Sequence, residues 1–139
     1  MTSVATSVLD TGILLRRIRN RPRFRELLIR LAQEGEVVIA SYTRLELLRG
    51  MREHERERTL RLLDSLITHP LDVSTADLAG NLIRIWQQKG HTIGGPDVVI
   101  GATALQCGAH LITTNPRHFP YEDLRVYAVD EEGRVSTFR

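Results

Sequence analysis

The sequence predicts an α/β protein built on a parallel sheet with helices covering both faces. Three observations carry that expectation. Short β-prone apolar runs alternate with longer segments of helical spacing, the order that builds parallel sheets. One helical segment, "PDVVIGATALQCG" at 96–108, is apolar nearly all round, which suits a helix buried in the middle of a domain. The 139 residues contain no repeat, low-complexity stretch or linker, so residues 1–139 read as one domain large enough to bury a core.

Taken in order, "SVATSVL" (3–9) reads as the first strand, and a helix is expected from Thr11. Phe24, Leu27, Leu28 and Leu31 fall at i, i+3, i+4 and i+7, with Pro22 at the front and Gly35 just beyond, the pattern of an amphipathic helix. "VVIA" (37–40) is a second strand. Tyr42, Leu45 and Leu48 mark the next helix, with Ser41 as its expected N-cap. Leu60, Leu63 and Ile67 mark another, and "LDVS" (71–74) reads as a strand. Leu78, Leu82, Ile85 and Trp86 predict a helix capped by Ser74 or Thr75 and ended by Gly90. The apolar helix opens at Pro96 and Asp97 and stops at Gly108. "HLITT" (110–114) and "RVYAV" (125–129) are further strands, and Glu132-Gly133 between β-prone runs suggests a terminal hairpin.

Composition narrows the function classes. The hydrophobic fraction is 42% and the charged fraction 26%, values of an ordinary soluble globular protein. The single cysteine, Cys107, has no internal disulfide partner, which favours a reducing compartment. No apolar stretch approaches the ~20 residues of a membrane span, and no leader-like segment opens the chain. A cytoplasmic protein is expected. Net charge is only +2, yet Lys89 is the sole lysine, and Arg16, Arg17, Arg19, Arg21, Arg23 and Arg25 crowd one stretch. A solvated helical face explains such a run; a surface for phosphates or an acidic partner is the sharper reading.

In open α/β sheets, sites form beyond the carboxyl ends of the strands. Asp10 stands there after the first strand. Glu46 lies one turn into the helix after "VVIA", Asp97 opens the apolar helix, and Asn115 follows "HLITT". Each has an ordinary role available: a helix cap for Asp10, a macrodipole partner for Asp97, a solvated helical residue for Glu46, a turn residue for Asn115. Together they place side-chain oxygens where one sheet edge can collect them. Gathered carboxylates repel until a cation or proton neutralises them, and oxygen donors select Mg²⁺ or Mn²⁺ over zinc. The matching chemistry is metal-assisted hydrolysis of a phosphodiester.

Other chemistries fit less well. The histidines show no zinc-ligand spacing around Cys107. There is no Gly-x-Ser-x-Gly elbow, and "GHTIGGP" matches neither the dinucleotide nor the P-loop pattern. Asp10-Thr11-Gly12 is the tripeptide of aspartic proteases, but it occurs once, in a chain that alternates helix and strand.

"VLDTGILL", "ASYTRLELLRG", "GHTIGGPDVVIGATALQCGAHLITTNPRHF" and "LRVYAV" resemble, in order, the motifs of the PIN-domain family, most closely its VapC-type toxins, the ribonuclease half of type II toxin–antitoxin pairs. The resemblance implies a Rossmann-like three-layer α/β/α sandwich with a central parallel sheet. It implies Asp10, Glu46 and Asp97 as ligands of Mg²⁺ or Mn²⁺, with Thr11 and Asn115 supporting the carboxylates. Many relatives have Asp at the position of Asn115 and a second acid where His118 stands, so one ion is the safer expectation than two. His118 itself reads as an ordinary loop histidine, with phosphate binding or proton transfer as the alternative. The implied activity is a metal-dependent endoribonuclease, with Arg16, Arg17 and Arg19 meeting RNA phosphates or a partner. The implied partners are RNA, an antitoxin whose C-terminal segment blocks the groove, and a second copy in a homodimer, with DNA reached only through the antitoxin. The alternatives are a PIN-like nuclease of RNA processing without an antitoxin, and a PIN-like scaffold that binds RNA or protein without cutting.

Overall fold

The computed structural model describes residues 6–139. In chain order the elements are β1 (Ser7–Leu9), α1 (Thr11–Ile18), α2 (Pro22–Glu34), β2 (Val37–Ala40), α3 (Ser41–Gly50), α4 (Arg56–Asp64), β3 (Ile67–His69), α5 (Val73–Gln88), α6 (Gly95–Cys107), β4 (His110–Thr113), β5 (Val126–Val129) and β6 (Val135–Thr137). Residues 3–5 of the expected first strand lie outside the described residues.

The sheet runs β3-β2-β1-β4-β5-β6. Neighbours from β3 to β5 are parallel, and β6 returns antiparallel on β5 as the expected hairpin. That turn closes at Gly133, whose φ of +77° is open to glycine, and Asp130 Oδ1 accepts from the Glu132 and Arg134 amides.

Because successive strand residues face opposite ways, Val8 and Leu9 seed two cores. Val8, Val38, Leu111 and Val126 pack under α6 with Phe119, Tyr121 and Leu124. Leu9, Ile39 and Ile112 pack under α1 and α2, through Ile13, Leu14, Phe24, Leu27 and Leu31. The sandwich is therefore three-layered, with apolar α6 held between the sheet and α5. Its all-round hydrophobicity is explained: Val98, Ile100, Ala102 and Ala104 point to different sides of the helix and are all buried in one core, which Leu78, Leu82 and Trp86 of α5 join.

Some expectations are corrected. The strand placed at 71–74 does not form. β3 is Ile67–His69, and Ile67, expected on the preceding helix, pairs with Val38. The chain leaves β3 at Pro70, and Asp72 accepts from the Thr75 amide at 2.9 Å, which starts α5 at Val73. Asp72 is thus the cap, in place of Ser74 or Thr75. Val73, 77% exposed, has no core to enter as a strand residue. Ser41 is the first residue of α3, with Ala40 before it, and its hydroxyl accepts from the Leu71 amide at 3.1 Å.

Gly101 shows how closely α6 is packed. A Cβ there would lie 2.5 Å from Tyr121 Cε2, and Tyr121 is buried. Gly101→Ala gains up to about 1 kcal/mol in helix propensity, but overpacking costs about 1–3 kcal/mol. The expected result is a lower unfolding midpoint in urea, by the equivalent of about 1–2 kcal/mol. An unchanged midpoint would show that the ring swings aside freely.

Candidate active site

The strand order reverses between β1 and β4, and in such sheets this switch point opens a crevice at the carboxyl ends. Asp10 sits on one side of it and Thr113, Thr114 and Asn115 on the other. The ladder sets the match: Leu9 pairs with Ile112, and the Asp10 amide donates to the Ile112 carbonyl at 3.0 Å.

Asp10 is buried, 7% exposed. It does cap α1, accepting from the Thr11 amide through Oδ1 at 2.8 Å. Its other oxygen accepts from the Thr113 hydroxyl at 2.7 Å. Thr113 in turn accepts from the Asn115 amide at 2.9 Å, so a single hydroxyl ties Asp10 to the loop after β4. Burial pushes the Asp10 carboxyl above its ordinary value; the hydrogen bonds from Thr113 and Thr11 pull it down; the nearby charges of Asp97 and Glu46 raise it again.

The other residues are held as follows. The Thr11 hydroxyl donates to Glu46 Oε1 at 2.8 Å and stands 3.2 Å from Thr43 Oγ1. Thr43 is fully buried on α3, so this contact fixes the start of α1 against that helix. Asp97, in the first turn of α6, has Oδ2 3.1 Å from His118 Nδ1. Glu46 and Asp97 thus reach Asp10 as neighbouring charges. Among the described residues, no three Asp, Glu, His or Cys side chains stand close enough together to hold an ion as they are.

Gly12 has a spatial role. A Cβ there would lie 3.1 Å from Thr114 Oγ1 and 3.2 Å from Arg16 Nη1. Buried Thr114 Oγ1 finds no hydrogen-bond partner among the described residues, leaving an unused oxygen at the rim of the crevice. The donor chemistry fits a hard divalent cation: carboxylates at the switch point, with Asp97 and Glu46 adding to the cost of ionising buried Asp10, and no sulfur or imidazole pair beside Asp10 among the described residues. Cys107 lies elsewhere, its Sγ 3.7 Å from His69 Nδ1, with burial pushing the thiol up, the opposite of an activated nucleophile.

The arginines divide. Arg16 Nη2 pairs with Glu131 Oε1 at 2.6 Å and its Nη1 donates to the Gly12 carbonyl; Arg21 shares Glu131. Arg19 lies 3.8 Å from the buried carboxylate of Glu55. Arg17 makes no ion pair among the described residues and lines a cavity with Asn20, Arg58 and Arg61. Sequence reasoning missed Thr113, and took His118 for an ordinary loop residue although it contacts Asp97. The only signal for Thr113 was a hydroxyl at the end of the "HLITT" run, two residues before Asn115.

A parallel sheet with acids at its switch point defines a class of α/β domain, and comparison identifies it. The PIN domain family model matches residues 7–122, and the chain belongs to the PIN-domain family. Within that family it is similar to two Mycobacterium tuberculosis proteins. It is 34% identical to Ribonuclease VapC19 over 120 residues, 85% of this chain and 96% of the relative. It is 32% identical to Ribonuclease VapC10 over 119 residues, 85% of this chain and 90% of that relative. Solved structures agree in fold. VapBC2 from Rickettsia felis, bound to a DNA fragment from its promoter, gives a TM-score of 0.77 at 23% identity, covering 90% of this chain and 99% of that one. DNA-bound VapBC from Salmonella typhimurium gives 0.73 at 26% identity, covering 88% and 96%.

Proposed function

We propose that this chain is a divalent-metal-dependent endoribonuclease and the toxin of a VapBC-type toxin–antitoxin pair. One observation carries the reading: the Asp10 carboxylate stands at the switch point with its ionisation opposed first by its burial and further by the nearby charges of Asp97 and Glu46. A carboxylate whose charge is disfavoured in this way suits a site completed by a cation. Its relatives' names supply the substrate class, RNA.

Asp10 and Asp97 would hold Mg²⁺ or Mn²⁺, with Glu46 reaching it directly or through water and Asn115 offering a neutral oxygen. Bound there, the cation would supply Lewis-acid stabilisation of charge on the phosphate and lower the pKa of a water. Thr11 keeps Glu46 facing the crevice, and Thr113 fixes the Asp10 carboxylate. Of Arg16, Arg17 and Arg19, Arg17 is the one in no ion pair among the described residues and is free to meet RNA phosphates or the partner, while Arg16 and Arg19 brace the loops around α1.

The partner is an antitoxin, and contact with operator DNA belongs to it. Leu45 and Leu48 on α3 and Val73 on α5 are exposed, and the Ser41–Leu71 hydrogen bond brings these two helix starts together. We assign this face to a homodimer; a monomer mass by light scattering would exclude it. No helix among the described residues is long and apolar enough to cross a membrane, and we place the protein in the cytoplasm.

The test is cleavage of total RNA with Mn²⁺, with Mg²⁺ and with chelator. Cutting is expected only with metal, and Asp97→Asn is expected to abolish it at unchanged circular dichroism. Full activity in that variant would overturn the assignment.

A further inference from the structure

The loop "GHTIGG" between α5 and α6 takes no part in the site described so far. It forms one wall of a cavity of about 470 Å³. Trp86, His91, Ile93, Arg117 and His118 line this cavity together with Asp97. The cavity therefore opens directly onto one of the acids assigned to the metal. Its walls combine an aromatic surface with the Arg117 guanidinium. Trp86 is half-buried and is braced by Tyr121, edge-on at 6.3 Å and 77°. His91 lies 5.6 Å from the Trp86 ring at 56°, and the Lys89 ammonium stands 4.7 Å from its centroid. Gly90, at φ +85°, turns the chain so that the His91 amide bonds back to the Trp86 carbonyl at 2.9 Å. That turn keeps the two rings together. Arg117 is exposed and makes no ion pair among the described residues.

We propose that this cavity is a nucleotide subsite, which receives the base next to the cleaved phosphate of a single-stranded RNA. The proposal rests on the ribonuclease reading and specifies where its substrate lies. Unstacked bases bind to aromatic rings whatever their sequence, and a guanidinium suits the adjoining phosphate. The rings of Trp86 and His91 supply the stacking surface, and Arg117 supplies the fork. The distance from base to phosphate within one nucleotide is short, so a base held here puts its own phosphate next to Asp97. An RNA segment that is paired has no free base to offer, so the subsite selects single-stranded loops.

Trp86 is the only tryptophan in the chain, so its fluorescence reports on this cavity alone. The experiment titrates a fluorescein-labelled hexaribonucleotide of mixed sequence into the full-length protein with chelator present, so that nothing is cut. Anisotropy of the label reads total binding, and an unlabelled hexaribonucleotide reads tryptophan quenching. Saturable quenching is expected at the concentration where anisotropy rises. Arg117→Ala and His91→Ala, both at exposed positions, are expected to weaken binding by about fivefold or more each. They are also expected to change the pattern of cleavage sites in the metal-loaded enzyme, while Trp86→Phe keeps most of the affinity. RNA binding without quenching, and with both variants at wild-type affinity, overturns the subsite and leaves the ribonuclease reading intact. Absence of RNA binding together with absence of metal-dependent cleavage overturns both. Equal affinity for a duplex and a single strand overturns the selection for unpaired bases.

Discussion

Asp10→Asn is expected to abolish RNA cleavage while leaving the metal-free protein at least as stable as the wild type near neutral pH. The amide keeps the shape of the cap: its oxygen accepts from the Thr11 amide, and its nitrogen faces the Thr113 oxygen. What it removes is a buried charge whose ionisation is opposed first by burial and also by Asp97 and Glu46. The sign follows from linkage. The folded carboxyl titrates above its ordinary value of 3.8, so between that value and the raised one the folded state holds the proton that the unfolded state has lost. Wild-type stability from this group therefore falls as pH rises through that window and stays lower above it. The amide variant has no such loss, so its advantage should appear at neutral pH and vanish on acidification below the ordinary carboxylate range. Metal reverses the order. Mn²⁺ at about 100 times its Kd should stabilise the wild type by about 2.7 kcal/mol, roughly 10 °C in Tm for a chain of this length. The variant should show little or none of that shift. Thermal melts at several pH values, with Mn²⁺ and with chelator, measure all of it. A wild-type-sized Mn²⁺ shift in Asp10→Asn would remove Asp10 from the metal site.

The features legible in the sequence are those with a local cause. The apolar band of α6 and the caps at Asp10 and Gly108 follow from periodicity and backbone preference, and the structure shows each of them. The third strand was misplaced because its evidence is weak on both sides. Ile67–His69 is three residues long at a sheet edge, too short to display a period. "LDVS" looked like a strand because Leu71 and Val73 are β-prone, while the deciding contact was one side chain, Asp72, bonding the Thr75 amide. The candidate site was legible as positions: Asp10 at a strand end, Glu46 one turn into the helix after β2 and Asp97 at the start of α6. Its connections were hidden. Thr113 and Asp10 are 103 residues apart, and only the β1–β4 register brings them together. The surroundings of the arginine run were hidden for the same reason. Local sequence shows Arg16 among like charges, while Glu131, its partner, arrives from 115 residues away on the terminal hairpin.

Thr113→Val is expected to lower cleavage by roughly 10–100-fold, the usual cost of losing a group that orients a metal ligand, with much of the loss recovered at high Mn²⁺. Thr113 is fully buried and its hydroxyl does two things at once, donating to Asp10 and accepting from the Asn115 amide. Valine fills the same space and does neither. The buried Asp10 oxygen then lacks a partner, at a cost of about 1–3 kcal/mol, and the Asn115 amide, at an exposed residue, loses its acceptor. The Thr113 hydrogen bond is also the largest influence holding the Asp10 carboxyl down. Without it the carboxyl rises further, protons compete better with the cation, and the acid limb of the rate profile moves to higher pH. A purely structural role predicts something different: lower stability, with the pH profile and the Mn²⁺ requirement of the folded fraction unchanged. Thr113→Ser separates the two, because serine restores the hydroxyl while losing a methyl from the core. Threonine and serine should share one pH profile and one Mn²⁺ dependence, with valine displaced in both. If the serine and valine variants behave alike, Thr113 acts through packing, and Asp10 must be held ready for the cation by the Thr11 amide alone.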